Sequence, residues 1–173
     1  SLRQALQQRQ VGWVQDIVPN HMAYNFENVL LADYLEKGEL SRFADFFEIY
    51  PDFGPAGEEG KLLAPFLGNP YQQELDEGNL KLEPGPEGLC VCYYEHRWPV
   101  KLASYPEILT PGKSADRGEL TPLVEVVSSI VYQATQEPSE ARDERIKTDK
   151  QRLWQLFEQS TAVHKHVSES IAN

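Results

Sequence analysis

From Ser139 to Ile171 the chain contains neither proline nor glycine, an unbroken run that the earlier, frequently punctuated residues never match. Along it Ile146, Leu153, Trp154, Phe157, Val163, Val167 and Ile171 recur at helical spacing, which predicts one long amphipathic helix whose apolar stripe must find a core. The opposite side carries Arg142, Asp143, Glu144, Arg145, Lys147, Asp149, Lys150 and Gln151, and because both signs are mixed it reads as a solvated face. His164 and His166 sit two apart, about 200° around the axis, so they do not share a metal and are expected at the surface.

The rest of the 173 residues must supply the other half of that core, and the length suits one domain or a piece of a larger one. Hydrophobic residues at 40% and charged residues at 25% are those of a globular chain. A net charge of −11 repels phosphate backbones and anionic lipid, which argues against nucleic-acid and membrane-surface partners. No apolar run reaches spanning length and no basic, apolar leader opens the chain, so it reads as cytoplasmic. It also starts without Met, with Leu2, Ala5, Leu6 and Arg9 already at helical spacing, as an excised fragment would.

A helix over Ser1 to Gln10 is followed by Val11 to Val18, a nearly continuous β-branched run of the kind found in buried parallel strands. Pro19 ends it and hands Asn20 and His21 to the loop beyond its carboxyl end. Asn28 caps a helix running through Lys37, with Gly38 as its stop, and a second short helix covers Ser41 to Phe46. Tyr50 to Gly60 is a loop, and Leu62 to Leu67 rejoins a core. Leu80 to Glu83 and Leu89 to Tyr94 alternate around Pro84 to Gly88, a β-hairpin with a long loop. Pro99, Pro106 and Pro111 make the next segment irregular, with one helical turn at Tyr105 to Leu109. Thr121 before Pro122 is a cap with proline at the first helical position, opening a helix to about Ala134; its Val126, Val127, Ile130 and Val131 leave a strand as the alternative. Cys90 and Cys92 fall on one strand face, too close for an unstrained bridge and too few for a metal, and read as reduced core thiols.

Two constellations carry chemistry. Asp16, Asn20 and His21 put a carboxylate, an amide and an imidazole near one strand end; the competing reading is that Asn20 and His21 close a turn while Asp16 pairs with a core donor. Tyr94, His96, Arg97 and Trp98 gather rings and polar tips after the hairpin, as sugar contacts require, though hairpin packing explains the aromatics as well. No glycine-rich phosphate loop, nucleophile elbow or metal-ligand cluster is present in the sequence, so neither cofactor nor metal is expected.

Val14-Gln15-Asp16-Ile17-Val18-Pro19-Asn20-His21-Met22-Ala23 resembles the first signature segment of the α-amylase clan (glycoside hydrolase family 13), in the form typical of the malto-oligosyltrehalose synthase family. Stretches that resemble that family follow in order: Asp33 to Gly38, Phe46 to Ile49, Lys61 to Gly68, Gly78 to Leu82, Tyr93 to Pro99 and Tyr105 to Leu109. The likeness runs from Val11 to about Leu109. The family usually has Asp-Ile-Asp-Trp where this chain reads Glu48-Ile49-Tyr50-Pro51, and commonly glycine where Gln72 stands.

The resemblance implies an α+β segment, helix-dominated with a small hairpin, cut from a (β/α)8 barrel enzyme: residues 1–25 would be a barrel helix and the third strand with its loop, 26–118 an inserted subdomain with short helices and the hairpin, and 119–173 a helical segment. It implies retaining glycosyl chemistry in which the C1 hydroxyl of the released glucose attacks the glucosyl-enzyme, turning a terminal α-1,4 link of a maltooligosaccharide into the α,α-1,1 link of trehalose. By the same carry-over His21 would hydrogen-bond the reacting sugar, Asn20 would brace the loop and Asp16 would orient the strand end. The family's nucleophilic Asp, acid Glu and third Asp match nothing here, so this chain alone is expected to be inactive. A non-catalytic carbohydrate-binding or regulatory module and a piece of an α-amylase-like hydrolase are the competing functions. A lone strand from Val11 to Val18 needs its edges covered, and a homodimer does so most simply.

Overall fold

The computed structural model describes residues 2–12, 14, 27–47, 66–111 and 117–172. Asp16, Asn20 and His21, the loop at 50–60 and most of the expected strand at 11–18 lie outside the described residues. The described members of that strand, Val11, Gly12 and Val14, are in no strand, and Val14 is 95% exposed.

Local chemistry sets the element ends. Helix α1 (Leu2–Gln8) precedes α2 (Val29–Lys37), where Asn28 Oδ1 accepts the Leu31 amide at 3.2 Å and Gly38, at φ 63°, stops the helix where a side chain would be strained. Of the expected helix over Ser41 to Phe46 the structure has a single 3-10 turn, Ala44–Phe46, and another, Gly38–Leu40, directly follows α2. Ser41 explains the interruption: its hydroxyl accepts the Phe43 amide at 3.0 Å and donates to Asp33, competing with helix bonds. A short helix α3 (Tyr71–Asp76), which was not anticipated, leads into the sheet.

The sheet is a three-stranded antiparallel meander of β1 (Leu80–Gly85), β2 (Gly88–Tyr93) and β3 (His96–Pro99). The hairpin is as expected, but its loop is two residues because Pro84 and Gly85 pair with Leu89 and Gly88. β3 takes only the start of the segment expected to be irregular; beyond it a 3-10 turn (Leu102–Ser104) and the expected helical turn at Tyr105–Leu109 follow. The residues of β3 are polar or cyclic, so alternation is faint, and Pro99 closes the strand where a donor is dispensable. Cys90 and Cys92 face the same way in β2, buried and unbridged.

The helices complete the molecule: α4 (Tyr105–Leu109), α5 (Arg117–Ala134), α6 (Glu140–Gln159) and α7 (Thr161–Ile171). Two expectations are corrected here. Helix α5 begins at Arg117, so Pro122 lies inside it, in its second turn, and forfeits the bond its nitrogen would donate one turn back. The single long helix is broken at Ser160, whose amide closes α6 on the Leu156 carbonyl while its hydroxyl accepts the Val163 amide. The reason is in the spacing: Phe157 to Val163 is six residues, which on a continuous helix puts Val163 about 120° off the stripe. The break restores the phase, and Val163 and Val167 are buried.

One hydrophobic cluster joins Leu89, Val100, Leu102, Tyr105 and Leu109 to Leu120, Leu123, Val126, Val127 and Ile130 of α5, then to Ile146, Leu153, Val163 and Val167. Each such side chain contributes roughly 1.5–3 kcal/mol on burial. The coarse class is α+β with helices dominant.

Gly88 has φ 101°, and a Cβ there would lie 2.4 Å from Tyr105 Oη and 2.9 Å from Lys150 Cδ, whereas one on Gly12 meets nothing within 4 Å. Gly88→Ala is therefore expected to lose about 2 kcal/mol or more in urea unfolding and Gly12→Ala less than about 0.5 kcal/mol.

Candidate functional site

An open groove of about 1040 Å³ lies between α2, the two 3-10 turns and the end of α5. Its sides are aromatic. Tyr34 and Phe47 lie 5.2 Å apart at 42°, and Phe46, edge-on to Phe43 at 6.0 Å, is 65% exposed. Burial and the nearby Glu39 carboxylate raise the Tyr34 phenol above its usual range, so it stays protonated. Val131 and Ala134 of α5 line the far side, and Glu39, Asp45 and Lys101 stand at the rim.

The groove rests on buried charge. Glu36, one of its lining residues, receives Lys150 Nζ at 2.7 Å, and both side chains are nearly inaccessible. Burial pushes the Glu36 carboxyl up and the Lys150 ammonium pulls it back. Alongside, Lys37 meets Asp33 and, at 3.0 Å, Asp143. Arg142 binds Asp143 at 2.7 Å and donates to the Leu40 and Gln136 carbonyls at 2.7 and 3.1 Å. These bonds tie the turn after α2 to the start of α6. Burial is the largest influence on Asp143 and would raise it, but hydrogen bonds from Arg142 and Lys37 leave its carboxyl below the ordinary range.

The polar face of α6 is thus not uniformly solvated. Arg142 and Lys150 are buried, and the signal was legible: both lie four residues from Ile146, on its stripe.

A second cluster joins α3 and its flanks to the end of β2. Glu74, fully buried, accepts the Asn69 amide at 2.9 Å, Asn69 Nδ2 at 3.0 Å, Asn79 Nδ2 at 2.7 Å and Tyr93 Oη at 2.7 Å, while Tyr93 Oη accepts the Gly68 amide at 2.9 Å. The Tyr93 bond, then the Asn79 bond, are the main causes holding the Glu74 carboxyl below its ordinary value. Nothing in the sequence marks Glu74 or Asn79, because a lone acid in a short helix gives no periodic cue.

Of the hairpin residues, Tyr94 is 68% exposed at φ 51°, His96 stacks on Trp98 at 5.6 Å, and Arg97 lies 3.6 Å from Glu83. Trp98 is turned inward against Phe66 at 4.1 Å. Tyr94, His96 and Arg97 are therefore the exposed ones of the four.

The thiols offer no nucleophile, since burial pushes Cys92 up to about 11 and raises Cys90 too. His164 is exposed and stacks on Phe157 at 4.5 Å, whereas His166 is half-buried with Nε2 3.0 Å from the Leu109 carbonyl. Among the described residues no three His, Cys, Asp or Glu are grouped to hold a metal, and no described helix is long and apolar enough to cross a membrane. No family model matches the chain, and neither does any curated protein or solved structure.

Glu36→Gln leaves the Lys150 ammonium buried without its counter-charge and should cost about 3–5 kcal/mol in chemical denaturation, whereas Glu36→Leu with Lys150→Leu should cost less. Stability should also depend on pH through Asp143. Its carboxyl is depressed in the folded chain, so its contribution is present above the ordinary carboxylate value of about 3.9 and is lost as pH falls through the folded value. Glu36 works in the opposite sense: between its ordinary and its raised value the folded chain holds the extra proton, so stability falls as pH rises through that window. Melting temperatures recorded from pH 2 to 7 should show Asp143→Asn flattening the acid limb.

Proposed function

We propose that the chain is a segment of a malto-oligosyltrehalose synthase, an intramolecular transglucosylase of the α-amylase clan, and that it contributes substrate-contacting residues to chemistry performed elsewhere in the parent. The observation that carries this reading is the sequence Asp16-Ile17-Val18-Pro19-Asn20-His21-Met22-Ala23, which places a carboxylate, an amide and an imidazole within six residues. The exposed Tyr94, His96 and Arg97 agree with it, since they offer an aromatic ring and polar tips able to reach hydroxyls.

In the parent enzyme an Asp would attack the anomeric carbon and a Glu would protonate the leaving oxygen. The residues supplied here would hold the sugar: His21 donates to a hydroxyl of the reacting glucose, Asn20 fixes the loop and Asp16 orients the strand end. The ligand is a maltooligosaccharide, and no cofactor takes part. Water must be kept from the glucosyl-enzyme, which gives an inserted subdomain covering the barrel mouth its purpose. The barrel origin of residues 1–25 belongs to this proposal. So does pairing of two copies of the isolated chain, which would cover Val11 and Val14, 53% and 95% exposed.

A carbohydrate-binding module without catalysis is the second reading, favoured by the lack of any match to the family's nucleophile or acid. Assay of the protein encoded by the complete reading frame separates the two. The parent should form trehalose-ended products from maltopentaose, and His21→Ala should lower kcat/KM by about 10² to 10³-fold, the scale of one preorganised donor. The 173-residue chain should turn over no maltopentaose. A parent without activity, or a His21→Ala variant with unchanged kinetics, would refute the assignment.

A further inference from the structure

We propose that the outer edge of β1 pairs with the same edge of a second copy of this chain, antiparallel and centred on Leu82, so that two three-stranded sheets become one. This goes beyond the reading above: it uses a strand other than the one expected at Val11 and Val14, and it requires nothing of the parent's activity.

The hydrogen-bond pattern of the sheet leaves that edge open. Gly85 and Gly88 close a two-residue turn, and such a closing pair exchanges hydrogen bonds. Alternation then makes Pro84–Leu89, Leu82–Val91 and Leu80–Tyr93 the pairs without bonds between β1 and β2, so the backbone groups of Leu80, Leu82 and Pro84 turn away from β2. Two facts agree with this phase. Pro84 has no amide hydrogen, and Leu89 donates to Tyr105 Oη and accepts from the Val100 amide, bonding nothing in β1. Among the described residues nothing bonds the Leu80 and Leu82 amides or carbonyls on their outer side, and such a row is a template for a further strand. The opposite edge is poorer, because α2 packs against β3 and Pro99 brings no donor.

Charge selects the occupant. With Leu82 opposite Leu82 of the second copy, those two residues exchange both bonds and each Leu80 amide meets a Pro84 carbonyl. Lys81 then lies directly across from Glu83 at both intervening positions, where facing side chains come closest. A slip of two residues one way sets Lys81 against Lys81, and the other way Glu83 against Glu83, so opposite charges meet in one register alone. Both side chains are exposed; Lys81 forms no ion pair among the described residues, and Glu83 reaches only Arg97, at 3.6 Å. Lysine and proline on an edge commonly blunt it, but here Lys81 has an acid to meet and Pro84 removes only the donor that would face the Leu80 carbonyl. A strand of other sequence finds the same open bonds without this charge match.

The test begins with sedimentation of the 173-residue chain from about 5 to 500 µM, which should show a reversible monomer–dimer equilibrium on the weak scale of a small interface. The Leu82 amide should exchange slowly only at concentrations where the dimer forms. Lys81→Glu and Glu83→Lys should each weaken pairing by roughly five- to thirtyfold, because each sets like charges across both positions. An equimolar mixture of the two variants should recover it, because every facing pair is again opposite. Val14→Asp, outside β1, should change nothing. A strict monomer at the highest concentration, a dimer indifferent to both charge variants, a mixture that stays monomeric, or a dimer lost to Val14→Asp would overturn the proposal. If Glu83→Lys loses its fold by circular dichroism, Lys81→Glu and the Leu82 amide decide: an undiminished dimer, or exchange that ignores concentration, would overturn it. None of these outcomes bears on the parent's activity or its dependence on His21.

Discussion

The hydroxyl of Tyr105 holds the sheet to the helices. Its oxygen accepts the Leu89 amide at 2.9 Å, its ring is fully buried among Leu102, Leu109 and the α5 side chains, and Gly88 is bare because a methyl group there would strike it. Burial, reinforced by the Glu36 carboxylate nearby, raises its phenol far above the usual range, so the group stays neutral in the core. Register follows from that contact. With Leu89 fixed, the Gly85–Gly88 pair closes the first turn, Val100 donates to the Leu89 carbonyl, and β3 is brought alongside β2.

The same junction explains why charge is tolerated inside. Lys150 passes close to Gly88 on its way to Glu36, so the ion pair occupies space that a side chain on β2 would otherwise claim. A buried pair is poor evidence of extra stability, because desolvation offsets much of the Coulomb attraction. It does confer specificity: Lys150 and Arg142, eight residues apart on α6, reach Glu36 and the Leu40 carbonyl and so fix where α2 and its following turn lie. The groove inherits its shape from that placement.

Two networks thus separate two surfaces. Glu74 gathers Asn69, Asn79 and Tyr93 and braces the end of the sheet that presents Tyr94 and His96, whereas α6 braces the groove. In both, the charge removed from water is paired or hydrogen-bonded, which is the condition under which buried polar groups rigidify a site.

Local chemistry determined much of the secondary structure by itself. Asn28 and Gly38 bound α2, the alternation of β1 and β2 makes the hairpin, and Pro106 opens the single turn of α4, because caps, period-two patterns and proline geometry act within a few residues. The site was less legible. Tyr94, His96 and Arg97 stand out as polar and aromatic neighbours, but nothing local shows Trp98 turning inward or Phe46 and Tyr34 sharing a groove, since those outcomes depend on partners distant in the chain. Tertiary structure alone decided that Lys150 meets Glu36 114 residues away and that β3 joins the sheet. The division at Ser160 lies between the two: the six-residue step after Phe157 was written in the sequence, but only a core that must take both Leu153 and Val163 made breaking the helix cheaper than exposing its stripe.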